Sequence, residues 1–269
     1  MTRGTAGSRR IQRAFDSAKS AGRLGFIPYV VAGYPDASTS EAAALAALDA
    51  GADLLEVGLP YSDPLADGVT LQRASSVALA HGANLDGSLE LVARVARARP
   101  DKPIVVMGYV NQFLGPRGSA AIARRLAEAG TAGAIVADLT PDEGADLEAA
   151  FAANGLALVY LVAPTTTPER LEFIANRSGG FVYCVSLTGV TGARAALPTS
   201  LTALVGRVKK VSPLPVAVGF GVSRPEHVRA VAKAGADGVI VGSALVNALG
   251  ESGLELERFS TLVEELRAA

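Results

Sequence analysis

The chain holds a single cysteine, Cys184, and two histidines, His81 and His227, among 269 residues. One cysteine excludes an internal disulfide and fits a reducing compartment. One Cys and two scattered His leave too few ligands for a zinc site. No apolar run approaches the ~18 residues of a membrane span. Residues 1–10 carry Arg3, Arg9 and Arg10, but no apolar stretch of the kind a secretory signal needs follows them. That segment reads as a flexible tail, and a cytoplasmic location is expected. Charge is scarce too, at 19% with a net of −1. Nucleic acid and membrane surfaces need a basic patch or a charge imbalance, so neither is expected as a partner.

What is present is apolar residue, 49% of the chain, enough to bury a large core. Short β-branched runs alternate with longer Ala/Leu-rich stretches of helical period, the pattern of parallel βα units. Eight strand candidates fall at 26–31, 54–57, 104–107, 134–137, 157–162, 181–185, 216–218 and 238–241. Helical segments lie at 38–50, 88–99, 119–129, 142–154, 168–175, 200–210, 224–234 and 254–267, and an extra one at 11–21 precedes the first strand. Ser38 or Thr39 is the expected N-cap of the 38–50 helix. Gly51, Gly130, Gly155 and Gly235 each follow a helix, where glycine can take positive φ. Without a linker or composition break, residues 11–269 read as one α/β domain, a (β/α)₈ TIM barrel. An open doubly wound sheet usually announces itself with GxGxxG after the first strand. Here that place holds Ala32, Gly33, Tyr34 and Pro35. The phrase AGAD recurs at 50–53 and 234–237, each time entering a strand.

Barrel chemistry sits at the C-terminal ends of the strands. The second strand carries Glu56 inside an apolar run. A buried carboxylate is costly unless paired or functional. Facing the barrel axis, it would have a raised pKa suited to acid/base work. From spacing alone, a Glu satisfied by a nearby Lys or Arg remains equally open. The following loop has two prolines and places Asp67 eleven residues on, so folding back could bring both carboxylates to one ligand. The sixth strand leads into SLTGVTGAR, the seventh into Gly219-Phe220-Gly221, the eighth into Gly242-Ser243. Any one of these could be a plain tight turn. Three glycine runs at the ends of consecutive strands point to a phosphate-bearing ligand, because glycine lets backbone N–H groups approach an anion closely. Cys184 reads as a small buried hydrophobe, His81 as a helix C-terminal residue, and His227 as a surface helix residue.

LEVGLPYSDPLADG (55–68), SLTGVTGAR (186–194), VGFGVS (218–223) and VIVGSA (239–244) resemble the signature segments of the tryptophan synthase α-subunit family. GFIPYVVAGYP (25–35) and YLVAPTTTPERL (160–171) resemble it as well. The likeness runs from about Phe26 to the C-terminus, with the segments in family order. It implies a lyase that splits indole-3-glycerol phosphate by retro-aldol chemistry. Glu56 would move protons and Asp67 would hold the indole N–H. Gly192, Phe220, Gly221, Gly242 and Ser243 would cradle phosphate. Phe26, Leu71, Tyr109, Ala137, Tyr183 and Ile240 would wall the indole pocket, and Thr191 would close over Asp67. Pro60 and Asp63 would face the pyridoxal-phosphate-dependent β subunit in an α₂β₂ complex. No cofactor or metal is expected in this chain. Thr140 departs from the proline of many members, and Leu187 and Thr188 depart from some members' lid residues. A lyase working without a partner, and a regulatory subunit without catalysis, are the alternatives. Other phosphosugar barrels use different residue pairs or a metal.

Overall fold

The computed structural model describes residues 2–115, 118–185, 200–219, 221–251 and 255–269. Its strands are β1 Gly25–Val31, β2 Leu55–Gly58, β3 Ile104–Gly108, β4 Gly133–Val136, β5 Ala157–Val159, β6 Leu161–Val162, β7 Val182–Val185, β8 Val216–Gly219 and β9 Gly238–Val241. The helices are α1 Ala6–Ser20, α2 Ala37–Asp49, α3 Val69–Ala80, α4 Leu85–Ala98, α5 Val110–Leu114, α6 Gly118–Glu128, α7 Ala145–Ala153, α8 Pro168–Arg177, α9 Ser200–Val211, α10 Pro225–Lys233, α11 Ser243–Leu249 and α12 Leu256–Arg267.

All strand pairings are parallel, in the order β5-β4-β3-β2-β1-β9-β8-β7-β6. β5 and β6 are two halves of one stave. β5 pairs with β4 and β6 with β7, so eight staves come round into the expected TIM barrel. The single strand expected at 157–162 is thus interrupted at Tyr160. The Tyr160 amide donates to Ser178 Oγ at 3.1 Å instead of to a strand, and its hydroxyl donates to Glu148. Strands β1 to β4 are buried at every position, because helices cover the outer face while side chains fill the axis.

The amino terminus is not the loose tail that its arginines suggested. Helix α1 starts at Ala6, capped by Thr5, whose hydroxyl accepts from the Ser8 amide. Thr2 is buried and its Oγ1 accepts from Leu158 N. Gly7 N donates to Gly155 O at 2.7 Å, and a Cβ there would lie 1.8 Å from Ala132 O. Only glycine lets the helix press this closely against the barrel floor.

The N-cap of α2 also differs from expectation. Asp36 holds that place and accepts from Thr39 N, while the Ser38 and Thr39 hydroxyls donate to its carboxylate. One residue can satisfy three donors because a carboxylate has more acceptor sites than a hydroxyl. Gly51, Gly130, Gly155 and Gly235 all have positive φ. The two AGAD phrases form matching latches at the N-terminal end of the barrel. Asp53 Oδ2 accepts from Phe26 N and pairs with Arg23; Asp237 Oδ2 accepts from Val216 N and pairs with Lys209.

Candidate active site

Strand alternation sets the side chains that the strands contribute to the site. Tyr29 and Glu56 are register partners on β1 and β2 and point together into the barrel. Two positions on, the inward place of β2 is Gly58. A Cβ there would lie 1.9 Å from the Tyr29 hydroxyl, so glycine makes the room that the ring occupies. Gly219 on β8 does the same for Tyr183, with 2.2 Å to its hydroxyl. Leu71, Met107 and Ile240 complete the apolar wall.

The loop after β2 returns Asp67 to the same cavity as Glu56. Asp67 N donates to Pro64 O and Gln72 donates to Asp67 O, which makes a firm turn into α3. From the far side, Tyr109 receives the Ala66 amide at 3.0 Å and bonds the Asp67 carboxylate. Tyr61 stacks on Tyr109 at 5.1 Å and accepts from Asn111. Gln112 in the short α5 ties Tyr109 N to Pro60 O. The loop is therefore held by the strand neighbour and not by its own sequence alone.

Glu56 is 1% exposed and Asp67 8%. Among the described residues neither Glu56 oxygen has a hydrogen-bond partner, nor does Asp67 Oδ1. Burial, with the negative Asp67 beside it, pushes Glu56 up to about 8. Burial raises Asp67 to about 6, held back by the Tyr109 hydrogen bond. At neutral pH the site therefore holds one carboxylic acid and one carboxylate. Unlike carboxyls in one pocket are the usual mark of an acid/base pair.

The cavity measures about 120 Å³, the size class of a ~150 Å³ apolar cavity that accepts benzene. Its far end is polar. Gly221, with φ +78°, and Ser223 come from the loop after β8; Gly242 and Ser243 come from the start of α11. The first amides of a helix lack partners inside it and favour an anion.

Of the residues expected from sequence, Glu56, Asp67, Leu71, Tyr183, Gly221, Ile240, Gly242 and Ser243 converge on this cavity. Tyr109 stands behind Asp67. Ala137 is half-buried beyond β4 and binds Gly108 O without lining the cavity. Phe26 is a correction. It faces a different hollow on the N-terminal side, with Val228 and Leu266. Phe26 lies three positions from Tyr29, so alternation turns it toward the helices. Tyr29 holds the wall position instead. Thr191, Gly192 and Phe220 lie outside the described residues, as do Leu187 and Thr188. Asp63 is exposed, whereas Pro60 is buried beneath the loop. Thr140 is exposed.

Met107, Thr70, Ser223 and Asn247 also line the cavity and were not expected. Asn247 sits four residues after Ser243, a spacing that puts both on one helical face and could have found it. Cys184 is buried. His81 caps α3 and donates through Nδ1 to Pro35 O at 2.7 Å. His227, expected at the surface, is 3% exposed. Among the described residues no group of three or more His, Cys, Asp or Glu could hold a metal ion, and no helix is long and apolar enough to cross a membrane.

A family model described as the tryptophan synthase alpha chain matches residues 15–269. The tryptophan synthase alpha chain of Roseiflexus sp. (strain RS-1) is 45% identical over 260 residues, covering 96% of this chain and 99% of the relative. That of Gloeobacter violaceus is 46% identical, covering 96% and 92%. A solved tryptophan synthase chain from Mycobacterium tuberculosis superposes with a TM-score of 0.89 at 45% identity, over 96% of this chain and 97% of that one. The alpha subunit from Legionella pneumophila gives 0.87 at 34% identity, over 96% and 97%. With 255 residues matched, near-complete coverage in both directions and the same barrel, the chain belongs to the tryptophan synthase alpha chain family, lyases of tryptophan biosynthesis.

Proposed function

We propose that Glu56 and Asp67 cleave indole-3-glycerol phosphate into indole and glyceraldehyde 3-phosphate by a retro-aldol reaction. The observation that carries this reading is the pair of buried carboxyls facing one cavity, with burial and the Asp67 charge raising Glu56 further than burial raises Asp67. Glu56 gives its proton to indole C3, which makes the ring an indoleninium. Asp67 accepts the ring N–H and stabilises the positive charge that develops there. Glu56, now a carboxylate, takes the proton from the side-chain hydroxyl attached to the carbon on C3. The carbon–oxygen double bond forms, the bond to C3 breaks, and its electron pair restores the aromatic ring. Glu56 ends protonated, ready for the next turnover. The apolar wall of Leu71, Met107, Tyr183 and Ile240 receives the ring, and the amides at Gly221, Gly242 and Ser243 receive the phosphate. Phosphate binding remote from the reacting carbon supplies positioning energy.

Indole formation from indole-3-glycerol phosphate by the purified chain tests this. Glu56→Gln keeps the shape but not the proton, and should lower kcat by roughly 10²–10⁴-fold. Near-normal turnover in that variant would end the mechanism.

Family membership implies association with the β subunit. The finer reading is an α₂β₂ complex with a pyridoxal-phosphate-dependent partner seated on the loop 59–68. Exposed Asp63 and Leu65, 91% exposed, support a partner at that loop. Sedimentation of the two purified chains together checks the stoichiometry.

A further inference from the structure

His227 is a buried titratable side chain that the mechanism does not use. His227 is the third residue of α10, after N-cap Arg224, Pro225 and Glu226. Arg224 makes no side-chain cap. His227 instead reaches back past the helix start, and its Nδ1 accepts from Ser223 N at 3.2 Å, with Ser223 Oγ 3.5 Å away. A ring nitrogen that accepts carries no proton, so Nε2 bears the N–H of the neutral imidazole. That Nε2 is buried and has no partner among the described residues. A buried donor left unsatisfied costs free energy that an aliphatic side chain would avoid. The arrangement is therefore poor as plain core and intelligible as a hold on the Ser223 amide.

What the hold controls is visible one residue away. Gly221, Val222 and Ser223 all line the cavity at its polar end, opposite Gly242 and Ser243. Gly221 has φ +78°, and glycine is the residue least able to fix its own backbone. Residues 221–224, which lead into α10, have no regular secondary structure. We propose that His227 is a positioning residue for the anion end of the cavity. It acts through the Ser223 amide and fixes the course of main chain 221–223 against the ligand's phosphate. It touches neither the ring nor the reacting carbon. The inference rests on the reading of that end as a phosphate cradle.

The test compares His227→Leu, which removes the acceptor, with His227→Asn, whose Oδ1 stands where Nδ1 stood. Each is assayed on indole-3-glycerol phosphate and on the same compound without phosphate. His227→Leu should raise KM for the phosphorylated substrate roughly three- to tenfold, the scale of one lost hydrogen bond. Its kcat should change less than about twofold, and kcat/KM on the dephosphorylated compound should be unchanged. His227→Asn should recover most of the lost affinity. An unchanged KM in His227→Leu overturns the inference, and so does an equal loss on both substrates, which would mean general damage to the fold. If His227→Leu does not fold, His227→Ala is read by the rise in Tm that inorganic phosphate gives. A rise equal to wild type overturns the inference; a diminished one supports it. This readout needs no turnover, so wild-type failure to cleave would count against the retro-aldol reading and leave the role of His227 decided separately.

Discussion

Glu56 is an acid at neutral pH because it is buried beside a second carboxyl. Burial disfavours the charged form, and Asp67 adds like-charge repulsion. Two consequences can be measured. The profile of kcat/KM should rise through about pH 6 as Asp67 ionises and fall through about pH 8 as Glu56 loses its proton. The two limbs belong to the coupled pair and not to either residue alone. A flat profile from pH 5 to 9 would remove the acid role of Glu56. The second consequence is in stability. The folded pKa of Glu56 lies above the ordinary value of 4.5, so the protonated form stabilises the fold at low pH. That contribution is complete below about 4.5 and is lost as pH rises to about 8. Glu56→Gln should therefore match wild type in urea unfolding at pH 5 and exceed it at pH 9. Gly58 belongs to the same scale. Gly58→Ala puts a methyl into the Tyr29 hydroxyl and should displace that ring, raising KM and costing about 1–3 kcal/mol of stability. Unaltered KM would mean that Tyr29 does not shape the cavity.

At the scale of elements, what could be read from the chain was what periodicity and glycine encode. Gly51, Gly130, Gly155 and Gly235 mark helix ends because positive φ is cheap only for glycine. Glu56 stood out because a carboxyl inside an apolar strand demands a reason. The phase of β1 was not legible, since all seven of its residues are buried and neither face is polar. With no alternation to read, Phe26 and Tyr29 were indistinguishable until register with Glu56 decided between them. His227 was hidden for the opposite reason. Its neighbours Arg224, Glu226 and Arg229 suggest a solvated face, while the ring turns back along the helix to a loop amide. The start of α2 shows how local chemistry can outrun a cap rule. Ser38 and Thr39 are good caps, yet both donate to Asp36, two and three residues earlier. Asp36→Ala should cost about 1 kcal/mol in denaturant unfolding, with KM unchanged because α2 lies outside the cavity. Ser38→Ala should cost less; a reversed order would show that Asp36 is not the cap.

The whole molecule divides its tasks between its two ends. At the N-terminal end, Asp53 and Asp237 latch strands to their neighbours, and α1 seals the floor. At the C-terminal end, β2 carries Glu56 and the loop after it, held by its neighbours, carries Asp67. The loop after β2 connects the site to the outside. Asp67 is its inner end, while Leu65 is 91% exposed and Val69, first in α3, is 62% exposed. Two large apolar side chains thus stand in water at the loop that carries a buried carboxyl. A partner that covers Leu65 would press on the segment whose Ala66 amide and Asp67 carboxylate are both fixed by Tyr109. It would also exclude water from the pair, which strengthens every charge interaction inside. Adding purified β subunit should therefore raise kcat for indole release. Leu65→Asp should abolish that rise while the activity of the free chain stays within about twofold, because Leu65 does not line the cavity and changes at exposed surface positions cost little. Titrating β subunit into each variant reads both quantities in one experiment. Full stimulation of Leu65→Asp would move the contact elsewhere, and no stimulation of wild type would make this chain a lyase that works alone.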